Sequence, residues 1–135
     1  MPLLPRKGVL AIAAVIDVAL RARERPVSAK ALAQRHGLPP RHLEPVLQAL
    51  VRDGILKGIR GPRGGYALAR ERRQVTANDI LRAAATVDGH EKPHRGSELL
   101  NKVVLPALAK AEEACGAALS RINLEDMARN AEKFV

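Results

Sequence analysis

Residues 60–70 read RGPRGGYALAR, and this stretch decides how the chain folds. Its first half is rich in glycine and proline, which is typical of a tight turn because glycine adopts the positive φ angles that such turns need. The flanking residues 55–60 and 66–68 are short, mostly apolar segments that predict two β-strands. The stretch therefore predicts a β-hairpin whose tip carries two arginines, Arg60 and Arg63.

Two short helices joined by a tight turn are predicted just before this hairpin. Ser28 is a suitable N-cap for a helix over residues 29–36, and Gly37 follows where a left-handed residue is needed. A third helix then runs to about Arg52, where its apolar residues share one face: Leu43, Val46, Leu47 and Leu50. Pro45 would clash with the preceding turn, so the start of this helix is expected to be irregular. A helix-turn-helix followed by a basic hairpin is the layout of a winged helix.

The remaining sequence predicts further helices and no further strands. A first helix is expected over residues 7–22 and a fourth over residues 77–86, where Thr76 and Asp79 have the spacing of a capping box. A long fifth helix is expected from residue 97 to 121, and Pro106 should kink it. Its apolar positions recur close to heptad spacing, at Leu100, Val104, Leu108, Ala111, Cys115, Ala118 and Ile122. Such a stripe needs a second helix to cover it, either the first helix or the same helix of another copy.

The net charge of +9 is concentrated in one half of the chain. Residues 1–75 hold 15 lysines and arginines against 5 acidic residues, whereas residues 76–135 hold 8 against 9. Such a half is expected to meet a polyanion, with a solvated basic surface as the alternative. With one tyrosine, one phenylalanine and no tryptophan, the chain lacks the aromatic platforms of most single-strand and RNA binders. Duplex DNA or an acidic membrane surface remains.

A membrane-spanning segment is not expected. Residues 9–20 are apolar except for Asp17, but this run is shorter than the roughly 20 residues that cross a bilayer, and it predicts a buried helix. The chain has one cysteine, Cys115, which excludes an intrachain disulfide and favours a reducing, cytoplasmic location.

Residues 60–70 resemble the RGPxGGYxLA wing of the Rrf-type regulators, a bacterial family of winged helix-turn-helix transcriptional regulators. Further matches are Lys7-Gly8, Pro26-Val27-Ser28, Leu43-Glu44 and residues 76–83. The resemblance is close over residues 7–83 and looser through residue 124. It implies a homodimer that binds double-stranded DNA at an inverted-repeat operator, and repression is the commoner habit of the family.

The resemblance also implies how the chain is divided. Residues 1–86 are expected to form the winged helix-turn-helix DNA-binding domain, and residues 87–96 a sensor-type loop. Residues 97–135 are expected to form the long dimerisation helix, with the apolar stripe above as its interface, and a short C-terminal helix. The expected fold class is therefore mainly α with a small two-stranded β-wing.

Several residues are expected to contact DNA. Glu44 matches a position where the family has an acid that discriminates between bases, and a carboxylate can accept a hydrogen bond from cytosine N4. Arg41 can pair with guanine or only contact a phosphate, and Gln48 can reach a base or only solvent. The full set is Lys7, Ser28, Lys30, Arg41, His42, Glu44, Gln48, Arg60, Arg63, Gly64 and Gly65. A solvated surface residue is the alternative at the phosphate-contact positions Lys7, Ser28 and Lys30.

A resident iron–sulfur cluster is not expected. Several family members hold one on three cysteines between the fourth and fifth helices, but residues 87–102 contain no cysteine. The chain thus resembles the cluster-free branch, in which a small-molecule or protein effector is expected. His90, Glu91 and His94 could bind a divalent metal, although a solvated loop is favoured. Cys115 could sense redox state, although a small residue in the core or dimer seam is favoured.

Two other classes of function compete with DNA binding. A winged helix that binds a protein would need an apolar third-helix surface and a neutral wing, and this chain predicts neither. An enzyme would need a recognisable constellation, but the GxSxG, HExxH, GxxxxGK[ST] and GxGxxG motifs are absent. The sequence therefore predicts a non-enzymatic regulator.

Overall fold

The computed structural model describes residues 4–22, 25–88 and 97–134 of the chain. It contains two antiparallel strands, β1 (Leu56–Ile59) and β2 (Gly65–Leu68). The helices are α1 (Arg6–Arg21), α2 (Ala29–His36), α3 (Pro40–Arg52), α4 (Ala77–Ala85), α5 (Leu105–Leu119) and α6 (Leu124–Ala131). The predicted class, mainly α with a two-stranded β-wing, is confirmed. None of the helices within the described ranges combines the length and apolar character that a bilayer crossing requires.

The core is aliphatic and lies where α1, α3 and α4 meet. The predicted inner face of α3 is fully buried: Leu43, Val46, Leu47 and Leu50. Val15 and Val18 of α1 and Ile80 of α4 pack in the same cluster at 0% exposure. Burial of each such side chain contributes about 1.5–3 kcal/mol, so this cluster fixes the position of α3 on the body.

The short C-terminal helix belongs to this core. Leu124 and Ala128 of α6 are both 0% exposed, and the backbone N–H of Leu124 donates to the Val75 carbonyl at 2.8 Å. The sequence division at residue 97 groups α6 with the long fifth helix. In the structure α6 packs against α1 instead, so the chain returns to the body after α5.

Local capping chemistry sets the helix ends as the sequence predicts. The Ser28 hydroxyl accepts a hydrogen bond from the Ala31 N–H at 3.1 Å, and Gly37 ends α2 with a φ of 64°. Thr76 and Asp79 form a reciprocal capping box at the start of α4, with distances of 3.0 and 3.2 Å. Each cap satisfies backbone N–H groups that a helix leaves unpaired at its first turn.

The irregularity predicted for the start of α3 is confined to its first turn. The helix is continuous from Pro40 to Arg52, and Pro45 is exposed on its outer side. Only the first turn is tightened, where the His42 N–H donates to the Pro39 carbonyl at 3.0 Å. An exposed proline near a helix start removes one N–H donor without displacing core side chains, so the helix absorbs it.

The long fifth helix contains a π turn in place of a simple kink. Residues Leu100–Val104 are π-helical, and the Leu105 N–H donates to the Leu100 carbonyl five positions earlier. Pro106 follows directly and cannot donate to the Lys102 carbonyl. The wider turn adds a residue to the helix at this point and shifts the register of everything before it.

The hairpin is attached to the rest of the protein through Val27. In the hairpin itself, Leu56 pairs with Leu68 and Ile59 with Gly65. The Val27 N–H donates to the Tyr66 carbonyl at 2.9 Å, and the Tyr66 N–H donates back to the Val27 carbonyl at 2.8 Å. The residue that precedes α2 therefore acts as a third strand of one residue beside β2.

This attachment leaves no room for a side chain at Gly65. We expect Gly65→Ala to destabilise the fold by about 1–3 kcal/mol, since a Cβ there would lie 2.5 Å from the Val27 carbonyl oxygen. Gly58→Ala in β1 is the matched control, because nothing lies within 4 Å of an added Cβ, and its effect should stay within about 0.5 kcal/mol. Urea unfolding followed by circular dichroism measures both, and equal stabilities would contradict the close approach.

Candidate nucleic-acid interface

The outward face of α3 is polar. Arg41, Glu44 and Gln48 lie at helical spacing on this face, and with His42 they are all exposed. The opposite face carries the buried residues of the core, so the side chains predicted to read bases project away from the body. α3 therefore presents a donor, an acceptor and an amide to whatever it docks against.

The tip of the wing is basic and exposed. Arg60 and Arg63 both project to solvent, and the turn between them is closed by a hydrogen bond from the Gly64 N–H to the Gly61 carbonyl at 2.9 Å. Gly61 has a φ of 115°, which favours glycine. An added Cβ at Gly64 would collide with the Ile59 carbonyl oxygen. Gly64 and Gly65 thus shape the wing, and their contact with DNA stays a prediction.

The residues predicted to contact phosphates lie at helix starts. Ser28 caps α2, Lys30 is in its first turn, and both are exposed. Lys7 is exposed in the first turn of α1. Short polar side chains and lysines at helix starts are suited to backbone phosphates, so these positions remain candidates.

Glu44 of α3 acts electrostatically on Tyr66 of β2. Burial first, and the Glu44 carboxylate second, raise the pKa of the Tyr66 phenol above its ordinary value of 10.0. Tyr66 is half-buried in β2, so the carboxylate of α3 acts on the base of the hairpin. α3 also packs against β1, so the polar face of α3 and the wing lie next to each other.

Three further arginines join this surface, and sequence reasoning missed them. Arg21, Arg25 and Arg35 line a cleft of 530 Å³ together with Arg63 of the wing. The run RARER at residues 21–25 carries a signal for such a site, because it places three arginines within five residues near the end of α1. Arg35 gave no such signal, because its role depends on a partner 18 positions earlier in the chain.

The stripe predicted for the dimer interface lies on a helix that the described chain leaves uncovered. Leu100 is half-buried, and the other predicted positions are exposed: Val104, Leu108, Ala111, Cys115, Ala118 and Ile122. Leu99 and Val103, which the heptad spacing missed, are 66% and 57% exposed, and Leu108 is 58% exposed. The π turn explains the difference, because its extra residue moves the apolar stripe from positions 100 and 104 to positions 99 and 103.

The candidate metal and redox residues divide into a group outside the described part of the chain and Cys115 within it. His90, Glu91 and His94 lie outside the described residues, so the metal hypothesis for them is not tested. Within residues 4–22, 25–88 and 97–134, no three histidine, cysteine, aspartate or glutamate side chains come together as metal ligands. Cys115 is exposed on α5.

A helix-turn-helix with a polar outward face and an adjoining basic hairpin defines the class of winged helix-turn-helix DNA-binding proteins. A profile of the Rrf2 family, described as iron-dependent transcriptional regulator, matches residues 4–130. The chain belongs to this family, and the resemblance seen in the wing sequence is confirmed.

Relatives and solved structures agree with this assignment. The chain is 30% identical to the HTH-type transcriptional regulator IscR of Xenorhabdus nematophila, over 96% of this chain and 80% of the relative. It superposes on T. potens IscR with a TM-score of 0.72 and 33% identity, over 96% of this chain and 88% of that one. It superposes on CymR, the global cysteine regulator of B. subtilis, with a TM-score of 0.72 and 28% identity, over 96% of this chain and 98% of that one. These proteins are regulators rather than enzymes, which confirms the predicted class of function.

The donor set of this chain does not fit an iron–sulfur cluster. Such clusters are held mainly by several cysteine thiolates, and the sequence contains Cys115 alone. That residue lies on the exposed surface of α5, where a single thiolate cannot supply a cluster's ligands. The iron in the family's description therefore does not identify a site in this chain.

Glu44→Gln should lower the pKa of Tyr66, because the substitution removes the carboxylate while leaving the burial that is the larger cause. Tyr66 is the only tyrosine and the chain has no tryptophan, so ultraviolet absorbance of the tyrosinate reports this one group. Glu98→Gln, on the far segment before α5, is the control and should leave the titration unchanged. If Tyr66 had the same pKa in the wild type and in Glu44→Gln, the electrostatic effect of Glu44 on the wing would be contradicted.

Proposed function

We propose that this protein is a homodimeric repressor that binds an inverted-repeat operator in double-stranded DNA. The observation that carries the proposal is the exposed polar face of α3 beside an exposed basic wing tip, on a hairpin whose first strand packs against α3. Family membership supports the DNA-binding function itself.

In the proposed complex, α3 lies in the major groove and the wing reaches the adjacent minor groove. Arg41 donates to guanine O6 and N7, and Glu44 accepts from cytosine N4. Arg60 and Arg63 enter the negative potential of a narrow minor groove. His42 and Gln48 complete the reading face, and the phosphate contacts come from Lys7, Ser28, Lys30 and the backbone of Gly64 and Gly65.

A second copy of the chain is the proposed cover for α5. Helices of this length are marginal in water unless an apolar face is buried, and α5 buries none of its residues within the described chain. Leu108 of α5 forms an exposed apolar stripe with Leu99 and Val103, which lie in the helical residues just before α5. Pairing of α5 with its symmetry mate would bury this stripe together with Cys115, Ala118 and Ile122.

Control of binding is proposed to depend on a small-molecule or protein effector in the cytoplasm, without a resident cofactor. The single cysteine supports this proposal, because it cannot hold the cluster that several family members use. A protein-binding winged helix is disfavoured, since the exposed face of α3 is polar and the wing is basic.

We expect the protein to select an operator from a random duplex pool and to bind it with a steep salt dependence. For about six to ten phosphate contacts, affinity should fall about a thousandfold or more between roughly 50 and 200 mM salt. Arg63→Ala should weaken binding to every duplex about tenfold. Glu44→Ala should instead reduce the free energy of discrimination at one base pair by about 1–3 kcal/mol.

Fluorescence anisotropy on the selected operator and on single-base variants of it measures these effects. Arg129→Ala is the matched control, because Arg129 is an exposed arginine on α6 and belongs neither to the α3 face nor to the wing. This variant should bind as the wild type does. Weak binding that ignores salt would overturn the function. If Glu44→Ala lowered the affinity for every duplex equally, Glu44 would have no role in base discrimination.

Leu108→Glu should convert the dimer to monomer, because it places an unpaired carboxylate in the proposed seam. A cost of about 3 kcal/mol corresponds to more than about a hundredfold in the dimer dissociation constant. Lys110→Glu is the matched control, because it introduces glutamate on the same helix but outside the apolar stripe. This variant should remain dimeric. Sedimentation equilibrium measures both, and a dimeric Leu108→Glu protein would place the interface elsewhere.

A further inference from the structure

A cleft between α2 and the wing concentrates positive charge. Four of its lining residues are arginines: Arg21, Arg25, Arg35 and Arg63. The other lining residues are uncharged, so no carboxylate faces the cleft among the described residues. Its volume of 530 Å³ is ample for a phosphate group with the sugars on either side of it.

A buried carboxylate lies directly behind this cleft. Asp17 of α1 has a side chain that is only 6% exposed, and it is the one charged residue in the buried set of the described chain. Arg35 donates to both of its oxygens, from Nε at 2.8 Å and from Nη2 at 2.7 Å. The Arg21 Nε lies 3.3 Å from Oδ1, and the His36 Nε2 lies 3.0 Å from Oδ2.

This arrangement holds two arginines in place without using up their donors. A guanidinium has five N–H groups, and Asp17 engages two of those of Arg35. The side chains of Arg35 and Arg21 remain 34% and 42% exposed at the wall of the cleft. A fixed guanidinium loses less conformational entropy when it binds, so a held arginine binds an anion better than a mobile one.

We propose that this arginine cleft binds a phosphate group of the DNA duplex, and that Asp17 is the positioning residue that holds Arg35 and Arg21 in it. The inference rests on the proposed DNA-binding function. Arg63 belongs to both the wing and the cleft. A duplex whose minor groove receives the wing would therefore bring one of its phosphate backbones past Arg25 and Arg35. Guanidinium groups match phosphate oxygens in a bidentate geometry, which fits this ligand chemistry.

A purely structural ion pair is the competing explanation, because Asp17 also ties α1 to α2. The two explanations differ in how Asp17→Asn changes DNA binding. If the ion pair were only structural, Asp17→Asn protein that still folds would bind DNA at least as tightly, because it has lost a negative charge. If Asp17 positions the arginines, Asp17→Asn weakens binding although the protein becomes more positive.

The test compares salt dependences of binding to the selected operator and to a mixed-sequence duplex of equal length. Arg25→Ala and Arg35→Ala should each weaken binding to both duplexes by about five- to tenfold. Each should also reduce the slope of log K against log salt by about one, as expected for one lost phosphate contact. Arg129→Ala is the matched control and should leave the slope unchanged.

Asp17→Asn should weaken binding and lower the slope by about one, with the folded fraction checked by thermal unfolding. Tighter binding by this variant would overturn the positioning role. If Asp17→Asn does not fold, Arg25→Ala decides, since Arg25 is exposed and bonded to no buried group in the described chain. Slopes equal to that of Arg129→Ala would overturn the cleft while leaving the proposed function intact. A wild-type protein that ignores salt would overturn the proposed function instead.

Discussion

The backbone bridge between Val27 and Tyr66 is the constraint on which the DNA-facing surface depends. It consists of two hydrogen bonds, and it requires glycine at position 65 because the two backbones lie too close for a side chain. Through this bridge the hairpin is fixed to the start of α2, while Leu56 fixes the base of the hairpin to the core. The wing, the start of α2 and the face of α3 therefore keep one relative position, which a protein that docks on a rigid duplex needs.

The positive charge of the first half of the chain has two separate uses in the structure. Arg70 donates to the carbonyls of Gly54 and Asp53, and Arg72 donates to the carbonyl of Ala19. These two arginines satisfy acceptors at the ends of α3 and α1, where a cation is also favoured by the helix dipole. Counting charge therefore overstates the number of arginines in the first half of the chain that can reach a polyanion.

The features predicted correctly from the sequence are those that local chemistry determines. Ser28, Gly37 and the box of Thr76 and Asp79 each act within one helical turn, so a reader of the sequence can place these helix ends. The arginine cleft could not be placed in this way, because Asp17 and Arg35 come from different helices. The π turn before Pro106 escaped for a related reason: a proline predicts a disturbance, but not which turn of the helix absorbs it.

The exposed α5 connects the fold of one chain to the spacing of the operator. A helix that buries no residue in its own chain has its position decided by whatever covers it, and in a two-fold dimer that is the same helix of the partner. α4 packs on α1 and α3 and also contacts α5, so a single element joins α3 to the proposed dimer interface. The pairing of the two α5 helices would then set the distance between the two α3 helices, and with it the separation of the half-sites. In the proposed dimer, the register shift at the π turn would therefore contribute to operator spacing, although it lies outside α3 and the wing.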